Sequence, residues 1–381
     1  MRYAMLNPVL FGEGTVKETG KEAKGLGITK ALVVSDSFLC TTDGYRKCLD
    51  SLKAENIDVV EFKDCPQDPP DTTIDEGGML ARNEKVNGVI AFGGGSVLDT
   101  GKAISILVNN PPPIRQYIGS FNKEPEAPLI AIPTSAGTGS EATMACVITD
   151  TTVHKKLSAF ATAKLSIIDP ELTYSAPPRL TANSALDVLA HCCEALTQYD
   201  TYASPFSDTL ALSAIERVVK YLPVAMRNGY DVEARRNLCA ASNFGGIAMQ
   251  NGTTHMGHCV AHAVGAALHL PHGLICALGL PVFVRYTASY MPEKTKQIGE
   301  AFGAKLSEAS SAVEIGEIAF EAVRSFVKAC QFPSFADKGV SENELTALAE
   351  DVLNDPTWFI VPQKLSLEEM TQYLRDMYHV I

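Results

Sequence analysis

In the first half of the chain, apolar residues come in short bounded runs that alternate with stretches of helical period. Residues 31–36 (Ala-Leu-Val-Val-Ser-Asp), 57–62, 88–92 and 129–132 are runs of the length and residue type of buried strands. Between them, residues 45–56, 72–85 and 97–108 place apolar side chains at helical spacing, and Asp71, Thr72 and Thr73 are cap candidates for the second of these. Strand and helix in strict alternation imply parallel strands joined by crossover helices. We therefore expect a doubly wound, Rossmann-like α/β domain.

Past Pro177-Pro178 the strand-like runs stop. Residues 185–199, 207–221 and 232–250 read as long helices, the last capped by Asp231, and helical pattern persists through residues 370–377. No repeat or flexible linker separates the halves. The expected organisation is a dinucleotide-binding α/β domain at residues 1–178 and an all-α metal-binding and substrate domain at residues 179–381. Ligand sites often lie between such halves.

Composition narrows the function classes. Apolar residues make up 46% and charged residues 20%, ordinary for a soluble globular enzyme. The formal net charge of -12 argues against nucleic acid or an anionic membrane as partner, since both need a basic face. The longest apolar stretch, residues 274–284, is too short to cross a bilayer, and the N-terminus lacks a signal-peptide layout. The ten cysteines follow no framework spacing and read as reduced, buried small side chains, as in a cytoplasmic protein. No Cys-x-x-Cys pair exists, which argues against a thiolate zinc site.

Two loops carry phosphate-type chemistry. Gly93-Gly94-Gly95-Ser96 lies between a strand and a helix, where bare backbone N–H groups and the helix dipole suit an anion. It is neither a Walker A loop, because Ala103 follows Lys102, nor a strict Gly-x-Gly-x-x-Gly, because Leu98 holds the third position. Asp99 is placed either to contact a ribose or to complement the helix dipole. The second loop, residues 133–141, offers Thr134, Ser135, Thr138 and Ser140 at the end of the 129–132 strand, where open α/β sheets bind ligands. Asp36 ends the first strong strand. A carboxylate there can bond an adenosine ribose and repel a 2′-phosphate, which predicts NAD over NADP.

The sharpest signal is His258-Cys-Val-Ala-His262, with His272 ahead of Gly273. Spacing i,i+4 turns His258 and His262 to one helix face, and Asp187-Val-Leu-Ala-His191 repeats it with a carboxylate and an imidazole. Those are the parts of a metal site with three histidines and one aspartate. Spacing alone does not choose among His255, His258, His262, His269 and His272. Taken singly, His154, His269 and His379 read as packed side chains.

With these motifs together, the chain closely resembles the iron-containing, group III alcohol dehydrogenase family along nearly its whole length. The match rests on Gly93-Gly-Gly-Ser-Val-Leu-Asp99, residues 133–141, Val147-Ile-Thr-Asp150 with Lys156, and Asp169-Pro170. It continues in Asp187-Val-Leu-Ala-His191 and in residues 257–265 through His272-Gly273. The resemblance implies metal ligands Asp187, His191, His258 and His272, with His262 beside the substrate as proton relay. It implies cofactor contacts from Gly94, Gly95, Ser96, Asp99, Thr134, Ser135, Thr138, Ser140, Thr143 and Lys156. It implies NAD(H) and Fe(2+), with Zn(2+) also accepted, a homodimer or higher oligomer, and interconversion of a short-chain aldehyde and its primary alcohol. Within the same superfamily, the alternative is a glycerol-dehydrogenase-like zinc enzyme acting on a secondary alcohol or diol.

Some positions depart from the family pattern. Gln67-Asp68-Pro69-Pro70 stands where relatives often have Pro-Asn-Pro-Thr, so the cofactor contact that Asn makes in the family is either lost here or taken over by Asp68. Thr254 and His255 stand where relatives usually carry small apolar residues; they point either to a polar or anionic substrate, for example a sulfonated aldehyde, or to surface substitutions. Ala145, Thr254, His255 and Phe359 are the pocket candidates.

Overall fold

A computed structural model describes residues 3–153, 155–199, 201–306 and 311–381. The chain divides into two compact units, Met5–Ala176 and Pro177–Ile381, the latter joined by Ala4, whose N–H donates to Asn251 Oδ1 at 2.8 Å.

The first unit contains β1 (Val9–Phe11), β2 (Lys30–Val34), β3 (Asp58–Phe62), β4 (Gly88–Gly93), β5 (Leu129–Pro133), β6 (Ala145–Asp150), β7 (Lys155–Phe160) and β8 (Leu165–Ile168). Its helices are α1 (Thr19–Gly25), α2 (Asp43–Ala54), α3 (Asp71–Asn83) and α4 (Gly95–Asn109). Six strands form one parallel sheet in the order β1-β8-β5-β4-β2-β3, and β6 and β7 form a separate antiparallel hairpin. β4 and β5 are buried at every residue, which is why they read as unbroken apolar runs.

Alternation across the strands builds two cores. Leu32, Val34, Val89, Ala91, Leu129 and Ala131 pack with α3 and α4 on one face, and Ala31, Val33, Ile90, Phe92, Ile130 and Ile132 pack with Tyr45, Cys48 and Leu52 of α2 on the other. The order reverses between β2 and β4. Ligands of open α/β sheets bind at such a switch point, beyond the carboxyl ends of the strands. The glycine loop follows β4 there, and Asp36 follows β2.

Four features depart from the sequence reading. β1, β8 and the β6–β7 hairpin carry no run long enough to stand out. α3 begins at Asp71 itself and its N-cap is Pro70, with no side-chain cap. The Asp71 carboxylate is instead taken by Arg115, by the Thr151 hydroxyl (2.8 Å) and by the Thr72 N–H (3.0 Å).

The second unit holds α5 (Pro178–Leu196), α6 (Pro205–Arg227), α7 (Val232–Gly252), α8 (Met256–Leu268), α9 (His272–Thr287), α10 (Pro292–Ala301), α11 (Ala312–Ala329), α12 (Glu342–Thr346), α13 (Ala349–Leu353) and α14 (Leu367–Tyr378). Ser204, Ser311 and Ser366 close capping boxes, and Asp231 accepts from the Ala234 N–H at 2.9 Å, as its position predicts. α5 packs against α6, α7, α8 and α9, and every residue from Ala185 to Leu196 is buried. A helix enclosed all round is apolar unless its polar residues have partners. α5 carries Asp187, His191 and Glu194 on one face, so their partners define the site. Among the described residues no helix is long and apolar enough to cross a membrane.

Candidate functional site

Three helices bring the titratable groups together. α5 supplies Asp187, His191 and Glu194; α8 supplies His258 and, one turn on, His262; α9 begins at His272 and carries Cys276 one turn later. Gly273 lets α9 start against α5. A Cβ there would lie 2.2 Å from the Asn183 carbonyl oxygen, closer than any side chain allows.

Asp187 Oδ1 is the focus. The Nε2 atoms of His272, His191 and His258 stand 3.3, 3.5 and 3.8 Å from it. Donors bound to one tetrahedral ion at about 2.1 Å lie about 3.4 Å from each other, so the spacing matches donors arranged around a single cation. His191 and His258 stack at 4.7 Å, and the His258 and His272 rings are 5.3 Å apart. Four donor groups, from Asp187, His258, His272 and Cys276, lie within 4.8 Å of one another. Cys276 was not anticipated, and the lack of a Cys-x-x-Cys pair counted against any sulfur there. Its signal was the i,i+4 step from His272.

Glu194 sets the tautomer of His258. Its Oε1 lies 2.6 Å from His258 Nδ1, so Nδ1 carries the hydrogen and Nε2 presents its lone pair. That Nε2 is buried and, among the described residues, has no hydrogen-bond partner. An unpartnered buried lone pair aimed at a carboxylate oxygen and two other imidazoles fits a cation and little else. Burial pushes the Asp187 carboxyl up, but His191, His272 and His258 outweigh it and hold it well below the carboxylate range. Burial keeps the His191 imidazole neutral, with a pKa lowered to about 4. Glu194, raised by burial but held down more strongly by His258 and His255, falls to about 2.

His262 stands apart from the donor group, its ring 6.0 Å from His258 and 6.1 Å from His272. Its Nδ1 meets Asp355 Oδ2 at 3.2 Å, and Asp355 Oδ1 accepts from the Thr357 N–H at 2.8 Å. Asp355 could not have been found from sequence, because nothing in the pattern joins it to a histidine 93 positions away. Burial lowers the His262 pKa, although the Asp355 hydrogen bond opposes it.

The remaining histidines sort differently. His255 is fully buried, and its Nε2 meets the Glu194 carbonyl oxygen at 3.0 Å near the C-terminus of α5. It is a core residue and supplies no polar pocket wall, which corrects the reading that made it a sign of a polar substrate. His269 is exposed at the end of α8 with φ 53°, and His379 is exposed with its Nε2 2.8 Å from Glu342 Oε2, so neither is a packed side chain. His154 lies outside the described residues. Phe359 is 74% exposed.

The loops of the first unit interlock. A Cβ on Gly95 would lie 2.5 Å from Thr138 Cγ2, and one on Gly94 would lie 3.4 Å from Ser135 Oγ. The Thr134 N–H donates to the Gly93 carbonyl at 3.0 Å. Asp99 accepts from the Ser140 hydroxyl at 2.6 Å and from the Val147 N–H at 3.1 Å, and Lys102 lies 3.2 Å away. One of its oxygens serves the second loop and the other the start of β6. Lys102, only 1% exposed, also donates to the carbonyls of Ser140 (3.0 Å), Thr143 (3.4 Å) and Ala145. The Thr143 hydroxyl sits within 3.4 Å of that ammonium. Lys156 pairs with Asp68 at 2.7 Å, and the Asp68 N–H donates to Ser96 Oγ at 3.3 Å. Asp36 accepts from the Leu39 N–H at 2.8 Å through one oxygen.

Comparison with known proteins adds the following. The family described as "Iron-containing alcohol dehydrogenase" matches residues 7–170, and "Fe-containing alcohol dehydrogenase family, C-terminal" matches residues 181–378. The NAD-dependent methanol dehydrogenase of Bacillus methanolicus is 32% identical, over 96% of this chain and 97% of its own. The choline dehydrogenase of Bacillus subtilis (strain 168) is 33% identical, over 94% and 90%. The crystal structure of a 1,3-propanediol oxidoreductase superposes with a TM-score of 0.93 at 31% identity, covering 99% of this chain and 100% of that one.

Proposed function

Since the chain belongs to the iron-containing alcohol dehydrogenase family, we propose that it interconverts a short-chain aldehyde and its primary alcohol with NAD(H) and a divalent metal. The observation that carries the reading is the convergence of His191, His258 and His272 on Asp187 Oδ1. The relatives named for methanol and choline support a terminal CH2OH over a secondary alcohol.

Asp187, His191, His258 and His272 would hold the ion, Fe(2+) or Zn(2+), a mixed N/O set that suits both. Bound there, the metal supplies a Lewis acid for the carbonyl oxygen, and the nicotinamide supplies the hydride. The chain's own residues do the rest. Glu194 holds His258 by its Nδ1 and keeps Nε2 free. The amides of Gly94, Gly95 and Ser96 open α4 and offer their hydrogens to a diphosphate. Asp36 takes a ribose hydroxyl and disfavours a 2′-phosphate. His262, steadied by Asp355, carries the proton exchanged with the product hydroxyl.

The test is metal analysis combined with a substrate panel. The protein reconstituted with iron or zinc is expected to hold about one ion per chain, and His258→Ala and His272→Ala to lose ion and turnover together. NADH oxidation should rank short aldehydes, neutral and anionic, above ketones, and NADH above NADPH. Full metal content in either variant overturns the ligand set, and preference for ketones overturns the primary-alcohol reading.

A further inference from the structure

Two charged side chains meet beside the opening of α4. Lys156, on β7 of the hairpin, stands 2.7 Å from Asp68 Oδ1. The Asp68 backbone is fixed on both sides. Its N–H donates to Ser96 Oγ at 3.3 Å, and its carbonyl accepts from the Thr149 hydroxyl at 3.1 Å. The Thr149 N–H donates to the Pro69 carbonyl at 2.9 Å. Asp68 sits at φ 51°, a conformation that Asp and Asn adopt more readily than most side chains. Its carboxylate is thereby tied to the first turn of α4, where a diphosphate would meet the helix amides. Deeper on the same helix, Lys102 is matched by Asp99 at 3.2 Å. Two lysines thus reach the loops of the first unit, and each carries its own carboxylate. An incoming anion is met by backbone amides and by little net positive charge from these pairs.

We propose that Asp68 holds down the affinity for the dinucleotide by occupying Lys156, and so speeds release of the cofactor. The proposal rests on the reading that NAD(H) binds at this loop, and adds to it the residue that sets how long the cofactor stays. A carboxylate beside a diphosphate weakens binding by like-charge repulsion, and the ammonium it holds acts on the anion at reduced strength. The side chains of Lys156 and Asp68 are 37% and 55% exposed, so solvent and salt screen the effect and keep it moderate. Differences in affinity among variants of one binding surface show mainly in the dissociation rate, which is why the consequence falls on release.

The competing account is a pair that only props the hairpin against the loop, in which case breaking it weakens binding. The two accounts predict opposite signs. In the full-length protein, D68N keeps a residue that tolerates the positive φ, so the loop should hold its shape. It is expected to bind NADH and ADP-ribose about fivefold tighter by titration, and to release NADH more slowly by about the same factor in stopped-flow displacement. The gain should shrink in about 0.5 M salt, because it is electrostatic and partly exposed. Adding K156M to D68N should return the affinity to near the wild-type value. Unchanged or weaker binding in D68N, a gain that ignores salt, or a gain kept in full by the double variant overturns the proposal and leaves the cofactor site standing. Wild-type protein that binds neither NADH nor ADP-ribose removes the site and the proposal with it.

Discussion

At the scale of single residues, burial decides which polar side chains matter. Glu194 is enclosed, yet it holds His258 Nδ1 at 2.6 Å and accepts from the His258 N–H at 3.3 Å. Glu194→Gln keeps the shape but loses the charge that fixes the tautomer. Metal affinity should fall roughly 10- to 100-fold, read by competition with a chelator; unchanged affinity would show that His258 needs no such partner. His255 tests burial by pH. Burial lowers its pKa from 6.5 to about 4. The unfolded chain therefore binds a proton that the folded one refuses between those values, so stability is full above about 6.5 and drains as pH falls toward about 4. For a fully enclosed group the loss is of order 3 kcal/mol. His191 contributes in the same direction, and His272, held up by Cys276 and Asp187 against its burial, opposes. In metal-free protein, urea midpoints should decline over this range, and less steeply in His255→Gln. An identical slope in the variant would assign the proton elsewhere.

At the scale of elements, the cofactor side depends on how two loops fit. Gly95 opens α4 with Thr138 directly over it, and Lys102, about two turns deeper, ties α4 to the backbone of Ser140, Thr143 and Ala145. Gly95→Ala forces Thr138 away and should weaken NADH binding at least tenfold with little change in metal content, measured by fluorescence titration. Binding as tight as wild type would mean that the loop does not touch the cofactor. The strands that carry these loops were plain in sequence because parallel strands buried on both faces are apolar throughout. β1, β8 and the β6–β7 hairpin were not. β1 is three residues long, and the hairpin mixes exposed and buried positions that only its partner strand explains. Asp71 read as a cap because Asp favours that role, but Arg115 and Thr151 reach it from elsewhere in the fold.

At the scale of the whole molecule, the charge of -12 acts on anything that approaches. The field repels an anionic aldehyde at low salt, where the Debye length is about 30 Å, and much less at physiological strength, where it is about 8 Å. For a sulfonated aldehyde, kcat/KM should rise several-fold from about 10 mM to 150 mM salt, and for a neutral one change less than twofold. A flat profile for the anion would mean that local cations guide it in. The alternating α/β half, the helical half, and the faces bearing Asp187 with His191 and His258 with His262 are legible in the residue pattern, because periodicity and i,i+4 spacing are local properties of one helix or strand. Which histidines meet is set by packing between helices far apart in sequence. His272 closes on Asp187, His255 sinks into the core, His269 turns to solvent, Glu194 and Cys276 join the centre, and Asp355 meets His262. Those outcomes depend on how α5, α8 and α9 pack, and such contacts between distant segments leave no mark on the spacing within any one of them.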